Sequence, residues 1–137
     1  MSIIPEQFAD ILESSALASM ATVGPKGEPQ VSTVLFAWNG TQLIFSMHRS
    51  RQKHRNLSRD PRIAVNISDP ANPYRSLEIR GVARIESDPE FHYLHMLSRK
   101  YLSRDATPEE AGEPGDRVVI FVKPEKVISF PPVAPRE

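Results

Sequence analysis

The chain has 137 residues, and 17 Lys+Arg balance 17 Asp+Glu to a formal net charge of zero. That balance excludes a whole-molecule field that would gather nucleic acid, so any anion site has to be local. A hydrophobic content of 39% with 25% charged residues is that of a folded protein, and the absence of cysteine excludes disulfides, thiolate metal sites and a thiol nucleophile.

The opening "MSIIPEQFADILESS" lacks a basic flank and a long apolar run, so it does not read as a signal peptide. No stretch approaches the ~20 apolar residues of a membrane span, and a cytoplasmic protein is expected. Ile4, Phe8, Ile11 and Leu12 recur at helical spacing, which predicts a helix over 5–15 with Pro5 in its first turn. Strand-like segments follow, broken at "GPKG" (24–27) and at Asn39-Gly40. An Asn-Gly pair between apolar runs predicts a hairpin of strand 29–38 with strand 42–47.

"HRSRQKHRNLSRDPR" (48–62) then places Arg49, Arg51, Lys53, Arg55, Arg59 and Arg62 close together, with Asp60 as the opposing acid. Ser50 is a candidate cap for a helix over 51–58 that Asp60-Pro61 would stop. Residues 62–68 and 74–87 alternate as strands around the turn "DPANP"; Leu77, Ile79, Gly81, Ala83 and Ile85 share one face. Asp88-Pro89-Glu90 reads as a helix start, with Phe91, Leu94, Leu97 or Ser98, and Tyr101 inward. "SRDATPEEAGEPGD" (103–116) reads as a surface loop or lid. "RVVIFVKPEKVISF" is one strand broken by Pro124, or two, and 131–137 is an extended tail. About six or seven antiparallel strands and three helices predict a mainly β fold, a small barrel with flanking helices, as a single domain over 1–137.

The basic stretch has a bland reading, a solvated helix face. Its position at a strand-to-helix transition, where backbone N–H groups and the helix dipole favour an anion, points instead to a phosphate or a run of carboxylates. Without a helix-turn-helix or zinc pattern it is poorly suited to duplex DNA, and RNA is disfavoured. His92 and His95 share a helix face, but the sequence nominates no third ligand, so no metal site is expected. No G-x-S-x-G is present, and no side chain stands out as a tuned acid or base.

The ordered pieces "GEPQVSTVLFAWNGTQLIFSM", "RSRQKHRNLSRDPRIAV", "YRSLEIRGVARIESD", "LSRKYLSRD" and "GDRVVIFVKPEKVISF" resemble the pyridoxamine-phosphate-oxidase-like split barrels. Within them the chain is most similar to the F420-dependent oxidoreductases of the flavin/deazaflavin type B group. The resemblance implies a homodimeric split β-barrel with two cofactors in grooves at the subunit interface. It places Arg51 and Lys53 on the cofactor's phosphodiester, with Arg55 and Asn56 supporting. Gln30, Ser32 and Thr33 would edge the tricyclic ring. Ser46, Met47 and His48 would flank it through their backbone, and residues 74–80 of the partner subunit, including Tyr74 and Arg80, would close the groove.

F420 carries several separated negative charges where FMN has one terminal phosphate, so a long cationic strip favours the deazaflavin. The implied activity is hydride transfer from reduced F420 to an unsaturated organic acceptor. The alternatives are an FMN-binding oxidoreductase or oxidase and a non-catalytic cofactor-binding protein. Two departures stand out: Ser103 follows "KYL" where the family often has Gly, and "FPPVAPRE" lacks the arginine- and histidine-bearing ending of true pyridoxamine phosphate oxidases.

Overall fold

The computed structural model describes residues 3–133. Seven strands, β1 Ala18–Val23, β2 Pro29–Val34, β3 Ala37–Trp38, β4 Leu43–His48, β5 Arg62–Asp69, β6 Asn72–Ser87 and β7 Arg117–Phe130, form one antiparallel sheet. Their order is β2-β1-β5-β6-β7-β4-β3. The two outermost strands are therefore neighbours in sequence, joined by Leu35 and Phe36 alone. Two residues reach about 7 Å, so the sheet has to curl until its edges meet. The result is the split barrel that the sequence predicts.

The alternation within strands explains the core. Ala18 and Met20, Ile63, Val65 and Ile67, Leu77 and Ile79, and Val118, Ile120 and Val122 all point inward and are buried. On β4 the inward set is Leu43, Phe45 and Met47. Ile44 is buried on the opposite face, where it meets Val119 and Phe121 beneath Tyr93 and Met96 of a covering helix. Strands buried on both faces lose the alternation that marks a half-exposed sheet.

Four α-helices flank the sheet: α1 Ala9–Glu13, entered through a 3₁₀ turn Glu6–Phe8, α2 Gln52–Arg59, α3 His92–Leu102 and α4 Pro108–Ala111. Arg75 holds the α1 end by donating to both Asp10 and Asp69 and to the Gln7 carbonyl.

Several boundaries differ from the expectation. Run 29–38 is two strands: β2 pairs with β1 in the register Met20↔Ser32, and only Ala37 and Trp38 pair with β4 across the Asn39-Gly40 turn. The hairpin signal was correct about the turn but silent about Leu35-Phe36, where the chain crosses from one sheet edge to the other. Ser50 does not cap α2; Arg51 is the N-cap, with no side-chain cap bond, and the Ser50 hydroxyl pairs with His48 Nδ1 at 2.8 Å.

Helix α3 begins four residues later than Asp88, because Phe91 adopts a left-handed φ of 59°. Asp88 still serves the helix: its carboxylate accepts the N–H groups of His92, Tyr93 and Leu94. Residues 103–116 contain α4, closed by a Thr107/Glu110 capping box, and a 3₁₀ turn Pro114–Asp116. β7 runs through Pro124, because a register shift opposite Arg80/Gly81 absorbs the missing N–H. Residues 134–137 of the expected tail lie outside the described residues.

Candidate functional site

A cleft of about 430 Å³ opens on the outer face of β4, and that volume suits a small organic ligand. Ser46, Met47 and His48 of β4 line it, and the register pair His48↔Arg117 brings Arg117 of β7 to its cationic end. Thr33, Val34 and Leu35 at the end of β2 form one wall, and Leu94, Leu97, Ser98 and Leu102 of α3 the other. Arg51 and Lys53, at the start of α2, close the polar end.

Most of the basic stretch does not enter this cleft. Arg49 donates to the Gly115 carbonyl and the Ser87 hydroxyl, Arg55 to the Ser50 carbonyl and Gln52 Oε1, Arg59 to the Val23 carbonyl, and Arg62 to Asp60. These four arginines are anchors. The strip that favoured a multiply charged cofactor is thus a pair of cations, Arg51 and Lys53. Neither has a side-chain hydrogen bond or ion pair among the described residues.

A third cation joins the pair. Arg117 lines the same cleft, half-buried, and donates to the carbonyls of Glu110 (2.6 Å) and Ala111 (3.3 Å). Sequence reasoning missed it, since it lies far from the basic stretch and arrives only through the β4–β7 pairing. Burial pushes the Lys53 ammonium below its ordinary pKa, and the Arg51 charge adds to the effect. Arg117 is lowered for the same two reasons, desolvation first and then Arg51. Burial and the Arg51 charge thus disfavour the charged forms of Lys53 and Arg117, and an anion entering the cleft would offset both effects.

His48 stands beside them. Its Nδ1 accepts the Ser50 N–H at 3.1 Å, and its Nε2 lies 3.5 Å from Asp116 Oδ2. Glu110, at the cleft wall, is turned toward Arg104 and Thr107, and its carboxyl is held down to about 2. It therefore leaves the Arg51–Lys53 pair unneutralised.

Of the residues nominated by sequence, Thr33, Ser46, Met47, His48, Arg51 and Lys53 line the cleft. Gln30 and Asn56 do not. Asn56 is buried, donates to Gln30 Oε1 (2.9 Å) and Thr22 Oγ1 (3.0 Å), and accepts from Gln52, which ties α2 to β1 and β2. Ser32 lies opposite Met20, and Arg55 is exposed and tied to its own helix. Tyr74 is 76% exposed at the start of β6. Arg80 donates to Glu78 and borders an apolar depression floored by Ala21, Ala64 and Val82. Within one chain, neither Tyr74 nor Arg80 lines the cleft.

The donor set fits a phosphorylated, partly apolar cofactor. Arg51 and Lys53 offer free charge at one end, and Val34, Leu35 and the leucines of α3 offer apolar contact at the other. Ser46 and Ser98 belong to the cleft lining, and their hydroxyl oxygens, tucked against the wall, have no hydrogen-bond partner among the described residues. Buried polar atoms are rarely left so.

Fold and cleft together define a split barrel with a groove that is cationic at one end. The chain belongs to the pyridoxamine 5'-phosphate oxidase family, whose model matches residues 4–130. A solved structure described as an F420 reductase is 38% identical, with a TM-score of 0.83, and the match covers 90% of this chain and 98% of that one. A conserved hypothetical protein from Mycobacterium tuberculosis is 25% identical, with a TM-score of 0.74 over 93% of this chain and 85% of its own. General Stress Protein 26 from Bacillus anthracis, 19% identical with a TM-score of 0.70 over 96% of this chain and 97% of its own, shares the fold. No curated protein matches the chain significantly. No helix among the described residues is long and apolar enough to cross a membrane.

Proposed function

We propose that this chain is an F420H2-dependent reductase that works as a homodimer. The observation that carries the reading is the Arg51–Lys53 pair, without counter-charges at the mouth of an apolar cleft, in a chain 38% identical to a protein described as an F420 reductase. In this reading Arg51 grips two phosphodiester oxygens, Lys53 supplies a mobile point charge, and Arg117 strengthens the field from behind. Thr33, Ser46, Met47 and His48 run along the ring. When bound, the deazaflavin supplies a hydride for an unsaturated organic acceptor; the protein supplies position, field and exclusion of water.

The dimer is supported by the exposed apolar residues Val31, Tyr74, Val82, Ile128 and Phe130 on the sheet, which a second copy would cover. Tyr74 and Arg80 of the partner subunit would then complete the groove. A second reading, an FMN-binding oxidoreductase, draws support from the compactness of the cation cluster, since three neighbouring charges suffice for one terminal phosphate.

The experiment is a titration of purified protein with F420 and with FMN, followed by turnover of reduced F420 against quinones, tetrapyrroles and other conjugated acceptors. Tight F420 binding with acceptor-dependent loss of F420H2 is expected. Tight FMN binding with none for F420 would move the assignment to the second reading. Retention of neither would end both.

A further inference from the structure

Outside the charged end, the cleft holds a polar feature that charge does not explain. Leu94, Ser98 and Leu102 recur every four residues and form one stripe of α3 along the cleft wall. Ser98 interrupts two leucines, is 5% exposed, and its hydroxyl is unpaired. A helical serine buried in this way commonly returns its hydroxyl to the carbonyl four residues back, and here it does not. On the opposing β4, the Ser46 hydroxyl is equally shielded and unpaired. These are the two buried unpaired side-chain polar atoms among the described residues, and both line the same cleft.

Register sets the distance of Ser46 from the cationic end. Ser46 precedes His48 by two residues on the same strand face, so it lies about 7 Å from the His48–Arg117 pair. Val119, the register partner of Ser46, and the leucines around Ser98 offer no competing hydrogen-bond group from their side chains. An unpaired buried hydroxyl lowers the stability of the free protein, and neither serine finds a partner among the described residues.

We propose that Ser46 and Ser98 form a neutral hydrogen-bonding subsite, which takes an uncharged oxygen of the bound cofactor. That oxygen is a hydroxyl of the polyol chain or a carbonyl of the ring. The subsite rests on the cofactor reading above and extends it. The cations select for charge, and the serine pair selects for what the charge is attached to.

The test is equilibrium binding of F420 and FMN to the full chain and to Ser46→Ala and Ser98→Ala, with the melting temperature of each ligand-free protein. Each substitution is expected to weaken the cofactor that binds by about tenfold, the value of one hydrogen bond, while the melting temperature holds or rises. Wild-type binding that neither substitution alters overturns the subsite and leaves the cofactor reading standing. A fall in affinity matched by a fall in melting temperature also overturns it, as a structural role. Failure of the wild type to bind either cofactor overturns both. A ring-only analogue, lumiflavin for FMN or the N10-methyl deazaflavin for F420, separates the two sources of the oxygen. Weakening by Ser98→Ala assigns it to a ring carbonyl, and unchanged binding assigns it to the polyol.

Discussion

The Tyr101 hydroxyl donates to the Ala16 carbonyl at 2.6 Å and accepts the Phe36 N–H at 3.3 Å, and so ties the chain entering β1 to the crossover between β2 and β3. Lys100 reinforces the seam from the adjacent position, with Nζ 2.7 Å from the Phe36 carbonyl and 4.0 Å from the Phe36 ring centroid. The "K-Y" pair thus holds Leu35 and Phe36 where β2 passes to β3, and it fixes the wall that Thr33, Val34 and Leu35 give to the cleft.

Tyr101→Phe should therefore destabilise the fold by about 1 kcal/mol, with two backbone groups left unpaired at the seam. Chemical denaturation measures it. An unchanged midpoint would mean that the seam is held by Phe36 packing alone.

Gly81 is a requirement of close approach. A Cβ at this position would stand 2.5 Å from the Lys123 carbonyl, at the register shift that lets β7 accommodate Pro124. Gly81→Ala has to push the two longest strands apart, at a cost of about 1–3 kcal/mol. A urea midpoint equal to wild type would show that the shift relaxes freely.

Lys53 links binding to pH. Burial and the Arg51 charge lower its pKa in the free protein, and an arriving phosphate should raise it again. Binding in the alkaline range should then take up protons, and affinity should weaken as pH rises through that range. Calorimetry in buffers of different ionisation enthalpy reads the uptake directly, and a buffer-independent enthalpy would contradict it.

Glu110 supplies the acid limb. Its carboxyl is lowered from 4.5 to about 2, first by Arg104 and then by the Thr107 N–H. A depressed carboxyl adds stability above its unfolded value and loses it as pH falls toward the folded one. The Thr107 cap of α4 should loosen between about pH 4.5 and 2, and Glu110→Gln should flatten that response. Amide shifts of residues 107–111 report it.

Much of this was legible in the sequence, for identifiable reasons. β5 and β6 read correctly because Ile63, Val65, Ile67, Leu77 and Ile79 alternate on a half-covered sheet. The division at Leu35-Phe36 was illegible, since it depends on pairing β2 with β1 and β3 with β4, which local pattern does not encode. Counting cations along residues 48–62 does not say how many of them reach the cleft. Four of the six arginines and lysines find backbone or acid partners that only the folded chain brings near. Arg117 and Ser98 entered the cleft unannounced, one through register and one from within a helical apolar stripe.

The most direct measurement is the affinity of F420 for wild type, Arg51→Ala and Lys53→Ala, followed by the coenzyme's fluorescence, alongside the stability of each unliganded protein. Each substitution should weaken binding by about 1.5–3 kcal/mol, roughly ten- to a hundredfold, while unliganded stability stays level or rises because a like-charge repulsion is gone. Unchanged F420 affinity in both variants would contradict the assignment of these two cations to the cofactor.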